Sequence, residues 1–168
     1  MNDPFLFGGP HDHGACIAET LASAESISRS RGEKLTPLRR RVLAIVLESH
    51  RPVGAYDILG ALARQGGKPA PPTVYRALDF LITQGFVHRI DSRNAYAACF
   101  TPRQDHRGRF LLCRRCGRAA EIGDAALDSA LEAAAKRAGF MVEGETVEIA
   151  GLCADCRDAA SSTPVGAW

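Results

Sequence analysis

The sequence predicts an α+β fold built from two modules, an N-terminal winged helix-turn-helix and a C-terminal α/β unit clamped by paired cysteines. Three observations predict it. Helix-type segments are followed by a hairpin signature in the first two thirds of the chain. The last third reads strand, strand, helix, strand. Two C-x-x-C pairs, CRRC and CADC, bracket that last unit. The 168 residues suffice for one ordinary domain or two small ones, and 46% apolar content supports a true core. The formal charge of +2 excludes little. No apolar run approaches the roughly 18 residues of a membrane span, so no membrane partner is expected. The start, MNDPFLFGGPHDHG, lacks a basic stretch followed by an apolar one, so the expected location is cytoplasmic.

The elements follow in order. Residues 1–15 are expected to be a flexible tail, rich in Gly, Pro and His. His11, His13 and Cys16 form H-x-H-x-x-C, a spacing that could clip a metal but is read first as part of that tail, and the sequence leaves the choice open. From Cys16 to Arg31, Ile17, Leu21, Ala24 and Ile27 recur at helical spacing. Thr36 is a good N-cap and Pro37 suits a first helical position. Leu38, Val42, Ile45 and Val46 then line one face, Arg39, Arg40 and Arg41 spread over the rest, and Pro52 ends the helix. AYDILGALARQGG gives a third helix, with Ile58, Leu59 and Leu62 inward. APPTVYRALDFLITQG gives a fourth, with Val74, Leu78, Leu81 and Ile82 inward and Gly85 as the stop. FVHRI and AYAACF are strands split by Asp91-Ser92-Arg93-Asn94, which is hairpin chemistry. FTPRQDHR, with no core pattern, marks the boundary between modules. Beyond it, Arg109–Cys113 and Ala119–Ile122 read as strands, Ala125–Ala138 as a helix and Phe140–Ile149 as a strand region. The tail after Asp158 is small and polar.

Cys113, Cys116, Cys153 and Cys156 carry the clearest chemistry. One C-x-x-C pair can be a redox couple. Two pairs in a reducing compartment read as four thiolates around one zinc, with Zn–S of about 2.3 Å. Arg114, Arg115, Arg118 and Arg157 neighbour the ligands and offset the net −2 of such a site.

The run PPTVYRALDFLITQGFVHRI, the Tyr96-x-x-Cys99 spacing, the following C-x-x-C and the final GLCADC resemble the Fur family of metal-dependent repressors, nearest its zinc-sensing branch. The resemblance covers roughly Ala18 to Asp158. It implies a winged-helix domain over 16–100, a hinge over 101–107, a dimerisation domain over 108–158 and a flexible end over 159–168. It further implies a homodimer on double-stranded palindromic operator DNA and two zinc ions per subunit. Cys113, Cys116, Cys153 and Cys156 would hold the structural zinc. His88, Cys99, His106 and Glu121 match the family's regulatory ligands. The thiolate in that mixed set favours Zn²⁺ over Fe²⁺ or Mn²⁺. The resemblance turns Thr73, Tyr75 and Arg76 toward DNA, and arginine suits a bidentate contact to guanine. Arg39, Arg40, Arg41 and Lys68 are candidates for phosphate contact. The stretch RQDHRGRF lacks the histidine run many family members carry, so no third metal site is expected.

An ion bridging His88 to His106 and Glu121 would fix the angle between modules. In a dimer, that angle sets the distance between recognition helices, which half-sites require near one turn of DNA, about 34 Å, or a multiple. The expected function is therefore a zinc-responsive transcriptional repressor of zinc-uptake genes, not an enzyme. Three rivals stand beside it. A sensor of iron, manganese, nickel or peroxide would dispense with the Cys99 thiolate. A thiol oxidoreductase using CRRC would want a βαβ setting and no second pair. A metal-storage protein would need no sequence-reading helix.

Overall fold

The computed structural model describes residues 12–67, 69–99, 108–143 and 145–161. The expected hinge, with His106, lies outside them, as do His11, Lys68, Phe100 and the last seven residues.

Helix α1 (His13–Ser30) begins three residues earlier than periodicity suggested, because Asp12 caps it, its carboxylate accepting the Ala15 N–H at 3.0 Å. The expected tail therefore loses its last three residues to a helix. Helix α2 (Pro37–Leu47) starts as read, with the Thr36 side chain accepting from the Arg39 N–H. A two-residue strand β1 (Val53–Gly54), too short to leave a periodic trace, leads into α3 (Ala55–Arg64). Helix α4 (Pro71–Thr83) opens on its two prolines with no side-chain cap. Strands β2 (Val87–Ile90) and β3 (Ala95–Ala98) flank a 3-10 turn at Asp91–Arg93. Asn94 closes that turn at φ +46°, the left-handed conformation that asparagine tolerates better than most residues. The antiparallel sheet runs β1-β3-β2, which is the wing.

Val42, Leu43, Ile58, Leu62, Val74, Leu78, Leu81, Phe86 and Val87 are fully or almost fully buried in one core under the four helices. Strand β2 serves two cores. Val87 enters the helical one, whereas Ile90 is buried in a smaller cluster with Phe110 and Leu112, backed by Ala97 and Ala119.

The second module has strands β4 (Arg109–Cys113) and β5 (Ala119–Glu121), helix α5 (Ala125–Arg137), strand β6 (Val147–Gly151) and helix α6 (Ala154–Ser161). Its sheet runs β5-β4-β6, with β6 parallel to β4 after the crossover through α5. The last strand is displaced from the expected 140–149 region. The five residues of β4 set its length, pairing Arg109 with Val147 through Cys113 with Gly151. The expected frayed end begins instead as α6, where the Arg157 N–H returns to the Cys153 carbonyl at 2.9 Å.

Arg109 is buried, and it pairs with Asp128 of α5 and with Glu145 before β6. It thus ties the crossover helix to the sheet with charge satisfied on two sides. The module's apolar interior is otherwise slight. Helix α5 buries no residue, and Phe140, Met141, Ile149 and Leu152 are exposed.

Candidate functional site

The four cysteines of the two C-x-x-C pairs converge. Their sulfurs all lie within 4.8 Å of one another, and Cys116 Sγ stands 3.8 Å from Cys153 Sγ. A tetrahedral ion at 2.3 Å from each sulfur needs sulfurs about 3.8 Å apart, so the cluster fits zinc. Local structure delivers it. Cys113 ends β4, its N–H held by the Arg118 carbonyl at 2.9 Å, and the Gly117 N–H returns to the Cys113 carbonyl at 3.0 Å. The second pair follows β6 at the start of α6.

The electrostatics call for a cation. Backbone N–H groups of Cys116 and Cys153 pull the Cys113 thiol down to about 5, against its burial. Burial, with the crowding of Cys153, Cys113 and Cys116, pushes the Cys156 thiol up to about 12. Four thiolates in one place cannot all ionise on the protein's own charges, and a divalent ion removes that conflict. Burial is the largest influence on Cys116 and pushes its thiol up, but the side chain of Arg118, donating to its sulfur at 3.4 Å, the Arg118 backbone N–H and Cys153 together outweigh it, and the net direction is down. Arg118 also reaches Cys153 Sγ at 3.8 Å and Asp155. Of the neighbouring arginines named from the sequence, Arg115 donates to the Cys156 carbonyl at 2.9 Å, Arg157 pairs with Asp158, and Arg114 is exposed.

A second cluster joins the modules. His88 on β2, Cys99 after β3 and Glu121 on β5 bring their ligand atoms within 4.8 Å of one another. His88 Nε2 lies 3.1 Å from Glu121 Oε1, and its ring meets Phe110 edge-on with centroids 5.4 Å apart. Cys99 is fully buried, its N–H on the Phe86 carbonyl at 3.0 Å. An imidazole, a thiolate and a carboxylate suit zinc, with room for a fourth donor. His106, the fourth residue of the expected set, lies outside the described residues.

Gly108 is a site residue the sequence reading passed over. A Cβ there would stand 2.6 Å from His88 Nδ1 and 2.9 Å from Phe110. Only glycine leaves the imidazole its place, and a lone glycine before a strand gives no sequence signal. Gly108→Ala is expected to weaken metal at the His88 cluster at least tenfold while leaving four-thiolate metal intact; competition with a chelator measures both.

On α4, Val74, Ala77 and Leu78 face the core, Thr73 is half-buried, and Tyr75 and Arg76 are exposed. The three α2 arginines have protein partners. Arg39 lies 3.5 Å over the Phe80 ring and donates to the Lys34 carbonyl, Arg40 pairs with Glu25 at 2.7 Å, and Arg41 donates to Gln65 and the Leu62 carbonyl. Tyr56, at the start of α3, is 76% exposed, a large aromatic off the apolar face. His13 does not dangle: it stacks near His50 with centroids 4.6 Å apart.

The ferric uptake regulator family model matches residues 30–150. The chain belongs to the Fur family. Among curated members, the zinc uptake regulation protein of Escherichia coli K12 is 39% identical over 139 residues, covering 82% of this chain and 81% of that protein. Among solved structures, a zinc uptake regulator complexed with zinc and DNA superposes with a TM-score of 0.82 at 37% identity, over 86% of this chain and 97% of that one. The holo form of XcZur, 42% identical, gives 0.77 over 83% of this chain and 98% of that one. The apo form of the same regulator gives 0.50. This Fur-family chain thus resembles the metal-loaded arrangement of that regulator more than its metal-free one.

Proposed function

We propose that this chain is a zinc-responsive transcriptional repressor that binds palindromic operator DNA as a zinc-loaded homodimer and controls zinc-uptake genes. The observation that carries the reading is the His88, Cys99 and Glu121 cluster, whose ligands come from both modules. Zinc supplies a compact divalent charge that accepts imidazole, thiolate and carboxylate donors together. His88, Cys99 and Glu121 would hold it, with His106 completing the set. Cys113, Cys116, Cys153 and Cys156 would hold a second, structural ion. The expected boundaries stand as part of this proposal, with the winged module ending near 100, the hinge over 101–107 and the dimerisation module following.

The residues then act by position and not by catalysis. With His88 and Glu121 ligated together, β2 is held on β5, and the joined pose is selected from those the hinge allows. The exposed Phe140, Met141 and Ile149, with β6 at the sheet edge, offer a second copy both apolar surface and unpaired backbone. Two copies of α4 would then enter successive major grooves. The place of action is the cytoplasm, where operators lie and thiolates stay reduced.

The reading is tested by footprinting a zinc-uptake operator with the purified dimer, with zinc and after chelation of the more labile ion. Protection that needs zinc supports it, and protection unaffected by chelation refutes it. Arg76 is the candidate reader of bases, with Thr73 and Tyr75 beside it. Arg76→Ala is expected to weaken specific operator binding by about 1–3 kcal/mol, relax discrimination at one base and leave zinc content at two per subunit. Equal operator affinity in gel-shift titrations would remove the assignment.

A further inference from the structure

The turn at the tip of the wing makes contacts that neither metal cluster accounts for. The Glu148 carboxylate, on β6, accepts the backbone N–H of Asp91 at 2.6 Å and of Ser92 at 3.2 Å. From the same turn, the Arg93 guanidinium donates to the Gly117 carbonyl at 2.7 Å and to the Cys113 carbonyl at 3.0 Å. An anion from the second module thus grips the wing, and a cation from the wing grips the second module. Each contact involves one full charge, which makes it stronger than a neutral hydrogen bond. None of the atoms involved is a ligand atom of either cluster. The turn also begins where the small joint core ends, since Ile90 is buried with Phe110 and Leu112. A further backbone bond, from the Ala119 N–H to the His50 carbonyl at 3.0 Å, joins the modules on another loop.

We propose that Glu148 and Arg93 form a latch that holds the wing on the second module without any ion, and so sets the zinc concentration at which the regulatory site fills. The consequence for sensing rests on the zinc-repressor reading, while the latch itself rests on the contacts alone. If only the joined pose has His88 and Glu121 in reach of each other, apparent zinc affinity scales with the fraction already joined. Whatever holds the wing therefore strengthens zinc binding, and by linkage zinc strengthens the hold. The latch tunes the threshold without touching a ligand of the regulatory site.

Two variants approach it from opposite sides. Glu148→Gln keeps the shape and removes the charge. Arg93→Lys keeps the charge and removes the fork that spans two carbonyls. Both are made in the full-length dimer carrying its structural zinc. Each is expected to weaken zinc at the second site about tenfold, by competition with a chromophoric chelator, and to shift the zinc midpoint of operator binding by the same factor. Excess zinc should restore full operator affinity, with metal content at two per subunit, which separates a lost latch from a damaged four-thiolate cluster. Small-angle scattering of the dimer with structural zinc alone should give a larger radius of gyration for both variants than for the parent. Unchanged zinc affinity together with unchanged scattering in both variants would overturn the latch. If operator binding by the parent ignores zinc, the repressor reading falls, and the scattering comparison still decides the latch.

Discussion

Cys113→Ser is expected to abolish the second module as a folded unit. A structural zinc in such a site is worth of order 10 kcal/mol, which matches the whole stability of an ordinary domain. Residues 108–161 have little else to draw on. Among the described residues, their buried apolar side chains are Phe110, Leu112 and Ala120 plus the cysteines themselves, and α5 buries none. A module this small with so slight a core depends on a staple. Metal analysis should show loss of one zinc per subunit, and size-exclusion chromatography a shift from dimer to monomer or aggregate. Cys153→Ser should behave alike, since its sulfur sits in the same cluster. The helical core under the winged module should survive in both variants, seen as a retained α-helical melting transition. A stable dimer with two zinc ions in either variant would refute the assignment of the four cysteines.

Cys99→Ser should have the opposite profile. Cys99 is fully buried between the end of β3 and the joint, and serine replaces it with little change in volume. Folding should survive, because the change leaves the four-thiolate cluster alone. Zinc content should fall from two to one per subunit. Operator affinity in zinc-replete buffer should drop by about a hundredfold, as joined-pose dimers become a minor population. Added zinc should not rescue it, unlike the latch variants. A Cys99→Ser protein that kept its zinc response would remove Cys99 from the ligand set, and one that changed its response to iron instead would assign the chain to a different sensing branch.

Local signals made most of the fold legible. Thr36-Pro37 marked the start of α2, the double proline that of α4, and Asp91–Asn94 the turn of the wing. What stayed hidden has physical causes. A strand of two residues, β1, has no period to detect. The start of α1 turned on a capping bond from Asp12 that looks like any polar residue in a loose tail. The position of β6 is set by its partner β4, not by its own residues. The four-thiolate cluster was readable because C-x-x-C spacing is itself geometric. For the second cluster, His88, Cys99 and Glu121 are scattered singly, and only the family resemblance named them together. Gly108, Arg93 and Glu148 matter through what they touch across the joint, and no single-chain pattern encodes that.

The hairpin β4–β5 bears on both clusters. Cys113 and Cys116 sit at its tip, and Glu121 lies on its second strand, paired opposite Phe110 with Ala119 opposite Leu112. With the tip unclosed, Glu121 has no fixed register from which to face His88. On the proposed assignments, occupancy is therefore sequential: each newly made chain first withdraws one ion for its own architecture, and only the surplus is reported to the genome.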